Sequence, residues 1–317
     1  MNKTILLLCL SVQTFLFSQK IDNTSGFRNM ESDRYFRFNY DNDFFASSDK
    51  DYTQGYNFEL AARFLKKNPI NYLFFISEAA AVKYGLSFEH IGYTADNYVS
   101  PEIQVGDRPF AAAFMLKSFA AATDNARKHR LSYAFNIGLL GPGAFGKETQ
   151  VAIHDITGNN TPKGWVNQIK NDLVLNYEFG FEKQLFRYGD LFSIQSNTNV
   201  RLGTLFTNAS LGLTGMLGLI NDPFNEGTHK NFKLYIYSQP LVNVIGYDAT
   251  LQGGLLNRES VYTIFEDDIE RFTGQNTYGI ILQIRSLVFE YTRSAITREF
   301  NSGNSSKWGG FRVGVLF

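Results

Sequence analysis

The chain has 317 residues in which 30 Lys and Arg balance 30 Asp and Glu, and it carries 30 Phe and 17 Tyr beside only 7 Pro. Zero formal net charge leaves no electrostatic footprint for a nucleic-acid partner. The single cysteine, Cys9, lies in the opening apolar run, which excludes a disulfide framework, thiol catalysis and cysteine-ligated zinc from the rest of the chain.

In chain order, Lys3, the apolar core "ILLLCLSVQTFLF" and the small residue Ser18 read as an export signal over residues 1–18, followed by one domain over 19–317. No later segment reaches the roughly 18 continuous apolar residues of a helical span, so a lipid-exposed chain of this kind must close its backbone hydrogen bonds as a β-barrel. The strands then alternate, one face apolar and one polar. "RYFRFNYDND" places Phe36, Phe38 and Tyr40 toward lipid, and Arg37, Asn39, Asp41 and Asp43 toward the lumen. In "YTQGYNFEL" the outward set is Tyr52, Tyr56, Phe58 and Leu60, and the inward set is Thr53, Gly55, Asn57 and Glu59. "RLSYAFNIGL", "LVLNYEFGFE" and the C-terminal "GGFRVGVLF" repeat the pattern.

The fold class expected is all-β, a transmembrane antiparallel barrel of about twelve strands, an even number as bacterial barrels prefer. The strands fall near 34–44, 52–64, 81–93, 109–120, 129–140, 172–184, 190–203, 209–219, 230–250, 275–284, 286–297 and 307–317, with Pro240 offering a split in the ninth. A soluble sandwich strand alternates in the same way; the export signal and the aromatic load favour the outer membrane. Twelve strands put both termini in the periplasm and most long polar connections outside the cell. Two inner connections, "KKNPINYLFFISEA" and "NDPFNEGTHK", are longer than the short turns expected there. Within the longest outer loop "KETQVAIHDI" reads as a short helix, with Val151 and Ile153 flanking its apolar side and Gln150 and His154 four apart on one face. "RESVYTIFEDDIERF" also reads as partly helical.

This topology gathers chemistry at the outer rim. Asn42 and Asp43 end the first strand, Thr53 enters the second in lumen parity beside Asp49 and Asp51, "GDRPFAA" brings Asp107 and Arg108, and His154 sits in the longest outer loop. Each has a plain structural reading: a solvated acidic turn or calcium clasp, a rim salt bridge, an ordinary loop histidine. No "GxSxG" stretch occurs, and His90, His129, His154 and His229 lack metal-ligand spacing.

The ordered set "NDFF" with "DYTQG", "GDRPFA", "GPGAFGKETQVAIH" with "GWVNQ", and "DATLQGG" resembles the lipid A 3'-O-deacylase family of outer-membrane barrels. The resemblance implies a twelve-stranded barrel with a calcium-dependent esterase site near the outer leaflet, acting on the 3'-linked acyloxyacyl group of lipid A in lipopolysaccharide. It carries His154 over as the residue that activates water, Asn42, Asp43 and Thr53 as further catalytic residues, and Asp43, helped by Asp49 and Asp51, as the Ca2+ site. Asp107, Arg108, Gln150 and Gln168 stand as substrate-binding or structural residues. The sequence departs from the family at two places: "SPEIQVGDR" lacks the family's lysine, and the family's carboxylate after the histidine falls near Asn160. A non-enzymatic barrel, either a channel or a structural protein, and an outer-membrane phospholipase are the rival readings.

Overall fold

A computed structural model describes residue 30 and residues 32–46, 51–77, 80–225 and 231–317. The export signal, Asp49 and His229 therefore lie outside the described residues. Twelve antiparallel strands close into a barrel, β1 (Tyr35–Asn42) pairing with both β2 (Asp51–Ala61) and β12 (Ser306–Leu316). Between them run β3 (Ala81–Thr94), β4 (Ala111–Asp124), β5 (His129–Leu140), β6 (Asp172–Tyr188), β7 (Phe192–Gly203), β8 (Phe206–Leu219), β9 (Phe232–Asp248), β10 (Phe272–Ile284) and β11 (Leu287–Ile296), each bonded to its sequence neighbour. No helix among the described residues is long and apolar enough to cross a membrane. Closure leaves no sheet edge, which is how β-structure satisfies its backbone in hydrocarbon.

Pro240 does not split β9. The ladder from β9 to β10 runs through Pro240 opposite Asn276, whereas the ladder to β8 passes Gly212–Leu241 and resumes only at Gly215–Ser238. Proline has no N–H to donate, so one ladder skips while the strand continues. Gln239 Nε2 donates to Thr214 Oγ1 at 2.9 Å across the gap.

The alternation sorts as the sequence indicates. Leu116, Ile137, Leu211, Ile236, Ile280 and Phe289 stay exposed on the lipid-facing wall. The lumen holds buried ion pairs: Arg37 with Glu59 at 3.2 Å, Lys117 with Glu89 at 2.6 Å, Arg130 with Glu182 at 3.1 Å and Arg312 with Glu290 at 3.2 Å.

Both ends of the lumen are filled. At the short-turn end, the long connection after β8 folds inward: Asp222 takes Lys128 at 2.8 Å and Arg187 at 2.9 Å, and Phe224 lies fully buried with the Arg130 guanidinium 5.2 Å from its ring centre. At the long-loop end, the turn "DATLQ" forms a one-turn helix, α2 (Ala249–Gln252), capped by Asp248 Oδ1 accepting from the Thr250 N–H at 2.7 Å. The helix of the longest loop, α1 (Gly146–Thr157), precedes it in the chain.

Arg108 closes this upper plug. Its guanidinium lies 3.9 Å from the centre of the Tyr93 ring, pairs with Glu299 and donates to Thr250 Oγ1 at 2.8 Å. Asp107 is not its partner in a rim salt bridge. Its Oδ2 accepts from the Asp96 N–H at 2.8 Å, and its main-chain oxygen accepts from the Tyr262 hydroxyl at 2.7 Å. Burial raises the Tyr262 phenol above its usual range, so it stays a neutral donor. Arg108→Met is expected to cost about 3–5 kcal/mol, because it strips the cation from a buried carboxylate. A lowered urea midpoint of the folded barrel checks this.

"RESVYTIFEDDIERF" is not helical beyond one 3-10 turn at Glu266–Asp268. Its backbone is spent on neighbouring loops instead: Ile264 N donates to Leu251 O, and Ser260 Oγ accepts from Lys170 N.

Candidate active site

A bulge decides where the candidate residues lie. In the β2–β3 ladder Tyr52 pairs with Tyr93 and Gln54 with Gly92, so Thr53 is the extra residue. Tyr52 consequently turns into the lumen, where it packs on Tyr93 and Trp308 at 5.4 Å between ring centres. Thr53 turns to the lipid-facing side with Thr94, their hydroxyls 2.5 Å apart. The expected lumen parity of Thr53 and outward parity of Tyr52 are thus both reversed. An inserted residue shifts every side chain beyond it to the other face.

The strand tips then form a row on the lipid-facing wall. Asn42 Nδ2 donates to the Thr53 main-chain oxygen at 2.5 Å and to the Tyr40 hydroxyl at 3.3 Å. Asn42 Oδ1 accepts from the Phe44 N–H at 2.7 Å, which tightens the 3-10 turn Asp43–Ala46. Asp43 opens that turn rather than continuing the strand, is 2 % exposed, and its charge acts on the Tyr40 hydroxyl. Phe45 holds the turn down on the wall, its ring 6.2 Å from those of Tyr40 and Phe311. Asp51 starts β2, and Asp49 precedes the described part of that strand.

The helix α1 also lies on the lipid-facing side. It seats against the wall at Gly146, where a Cβ would come within 2.3 Å of Ala112 Cβ and 2.7 Å of the Trp165 ring. Gly92 and Ala112 are register partners, and the Gln54 side chain lies over Gly92, 3.4 Å from where a Cβ would stand. Gln54 and the foot of α1 are therefore neighbours across one strand pair, spaced by about 4.8 Å. His90, on the same face, stacks on Tyr56 at 4.8 Å, and its Nε2 lies 2.9 Å from the Ala144 main-chain oxygen at the entry to the loop.

The buried face of α1 is Gly146, Gln150 and His154. It is not the Val151–Ile153 face that apolarity suggests, both of which are half-buried. Trp165 Nε1 donates to Gln150 Oε1 at 2.5 Å, and Phe110 packs on the Trp165 ring at 5.3 Å. Gln168 ends the 3-10 turn Gly164–Asn167, and its N–H is 3.3 Å from the Trp165 oxygen.

His154 is 5 % exposed, one turn beyond Gln150, with the Tyr98 ring edge-on at 5.2 Å. Gly158, at φ +74°, ends the helix in a left-handed turn. That turn brings the chain back, and the Asn160 main-chain oxygen lies 2.6 Å from His154 Nδ1. A carbonyl oxygen only accepts, so Nδ1 carries the proton and Nε2 is the unprotonated nitrogen of the neutral ring. The position where the family's carboxylate falls supplies a backbone carbonyl instead.

Three buried nitrogens at this level have no hydrogen-bond partner among the described residues: Gln54 Nε2, Gln150 Nε2 and His90 Nδ1. Amide N–H groups left unmade in this way are costly in structural terms and serve as donors to a bound ligand. Gln54 and His90 were not singled out in the sequence. The first is adjacent to Thr53 in "DYTQG"; the second gives no local signal. Among the described residues no three His, Cys, Asp or Glu side chains come together as a metal site.

Comparisons with known proteins bear on the same arrangement. The solved structure "LpxR from Salmonella typhimurium" superposes with a TM-score of 0.73 at 17 % identity, covering 89 % of this chain and all of that one. The β domain of the Bordetella autotransporter Brka gives a TM-score of 0.45 at 7 % identity, covering 90 % and 98 % of the two chains. No curated protein matches the sequence. The family model "Outer membrane protein LpxR" matches residues 5–317, nearly the whole chain, and with the closed twelve-stranded barrel it places this protein in the LpxR family of integral outer-membrane barrels that its motifs resemble.

Proposed function

We infer that this protein is a lipid A deacylase that hydrolyses the 3'-linked acyloxyacyl ester, with His154 activating the attacking water. One observation carries the reading: an imidazole whose Nδ1 faces the Asn160 main-chain oxygen, on the buried face of a helix laid against the lipid-facing wall at the long-loop end. Esters of lipid A in the outer leaflet reach that wall from the membrane, whereas the lumen is plugged. His154 Nε2 takes a proton from water as the water oxygen attacks the ester carbonyl, and the imidazolium returns it to the departing sugar oxygen as the tetrahedral intermediate collapses. The Asn160 carbonyl keeps the ring oriented and accepts from its Nδ1–H throughout. Gln54 Nε2 and Gln150 Nε2, buried without a partner among the described residues, are the amide donors proposed for the developing oxyanion.

Calcium belongs to the proposal through Asp43. The charge of Asp43 reaches the Tyr40 hydroxyl, and Asn42 Nδ2, one residue before Asp43, donates to that hydroxyl and to the Thr53 main-chain oxygen, so oxygen atoms stand on either side of Asn42. That chemistry suits a hard cation, which takes six to eight oxygens; Asp43 is one, and Asp49 and Asp51 are the carboxylates proposed to complete the set. Bound there, the ion supplies electrostatic stabilisation of negative charge on the carbonyl oxygen.

The test is product analysis with the purified barrel in detergent, offered lipid A or phospholipid. Release of a 3-(acyloxy)acyl fatty acid from lipid A supports the reading. Lysophospholipid as the product assigns a phospholipase instead, and no product from either leaves a non-enzymatic barrel.

The seat of α1 gives a further expectation. Gly146→Val places atoms where Ala112 and Trp165 already stand, so the helix must lift from the wall. Overpacking of this kind costs about 1–3 kcal/mol locally. Deacylation should fall at least about ten-fold, since small misplacements of catalytic groups are expensive, while the urea midpoint of the barrel stays put.

A further inference from the structure

The connection after β2 is too long for a periplasmic turn, and it does not project from the barrel. It climbs the lipid-facing wall as two 3-10 turns, Arg63–Lys67 and Pro69–Leu73, and packs over β3 to β6. Asn68 Nδ2 donates to Ser118 Oγ at 3.0 Å, and Phe74 stacks on Tyr133 at 5.8 Å. Ser118 stands six positions before the end of β4 at Asp124. For a tilted strand that is about 15 Å above the short-turn end, within the inner-leaflet half of the membrane.

Non-strand backbone survives beside hydrocarbon only if its polar groups are satisfied within the protein. Here they are. The hydroxyls of Tyr133 and Tyr177 donate to the main-chain oxygens of Phe75 at 2.7 Å and Leu73 at 2.8 Å. Asn71 Nδ2 serves Leu65 O at 2.9 Å and Lys66 O at 3.1 Å. With these carbonyls turned inward, the segment turns three of its aromatic side chains outward: Phe64 is 66 %, Tyr72 93 % and Phe75 83 % exposed. Lys66 and Lys67 beside them are exposed and have no ion pair among the described residues.

We propose that residues 63–77 are an interfacial anchor seated among the phospholipids of the inner leaflet, with Phe64, Tyr72 and Phe75 in the acyl and glycerol region and Lys66 and Lys67 on headgroup phosphates. Aromatic residues and lysines in this combination mark the membrane–water boundary. By fixing the height of β4, the strand against which α1 is seated, the anchor sets the level of the opposite rim relative to the outer leaflet. The full chain, reconstituted in phosphatidylcholine vesicles, tests this with Tyr72→Trp and Phe75→Trp. Trp165 and Trp308 are buried in the parent, and their signal is subtracted.

Phospholipid brominated on its acyl chains should remove more than half of the added fluorescence, and aqueous acrylamide should remove little. Added tryptophans quenched by acrylamide and untouched by brominated lipid would place the segment in water and overturn the anchor. Brominated phosphatidylglycerol, as a minor component, should quench about two-fold better than brominated phosphatidylcholine, and K66Q/K67Q should abolish that preference. Equal quenching in the parent overturns the headgroup assignment.

Discussion

His154→Gln is expected to lower lipid A deacylation by about 10²–10⁴-fold, the usual contribution of a positioned general base, without altering the amount of folded barrel. Among the described residues the imidazole is held by the Asn160 oxygen and the Tyr98 ring edge, and none of the buried ion pairs of the lumen depends on it. Glutamine fills most of the same space but has no nitrogen that accepts a proton. Initial rates of acid release from lipid A, measured beside the urea midpoint, check the separation. A loss of activity that tracks a loss of folded protein would assign His154 to packing instead.

The second large effect is expected at Asp43. Asp43→Asn keeps the shape of the 3-10 turn and removes its charge. If Asp43 anchors the cation, the rate should fall by about 10²–10³-fold, as when a main electrostatic stabiliser of the oxyanion is lost. A calcium chelator should do the same to the parent and add nothing to the variant. The Asn42 contacts to Thr53 and Phe44 are independent of that charge, so the turn should survive. A variant as active as the parent, and a parent indifferent to the chelator, would remove the cation from the mechanism.

Much of this was legible in the chain because a strand has a period of two and the membrane enforces it. β5 runs His129–Leu140, where the alternation alone puts it, and β3, β6 and β12 begin within a residue of their expected starts. The side of the wall on which the site lies was not legible. It depends on one extra residue at Thr53, and nothing in "DYTQG" distinguishes a bulge from a continuing strand. For the same reason Tyr52 reads as lipid-facing from its neighbours and is in fact a lumen side chain.

The helix α1 was visible in "KETQVAIHDI", but its orientation was not. Val151 and Ile153 are the apolar residues, yet a helix pressed against a wall in lipid has little to gain by burying them, and it is Gly146, where a Cβ would collide with Ala112, that meets the wall. The role of Arg108 was hidden for another reason: its partners, Glu299 and Thr250, are remote in sequence and meet it only when the barrel closes. The role of the long connection after β2 was hidden because its anchoring partners, Tyr133 and Tyr177, are on other strands.

The proposed esterase site lies between the lipid-facing wall and α1, and lipid A from living cells reports on it most directly. A mass spectrum of lipid A from cells producing the parent chain should show the loss of one acyloxyacyl group, and cells producing His154→Gln at the same level in the outer membrane should show none. Identical lipid A spectra from the two, whether both intact or both trimmed, would contradict it.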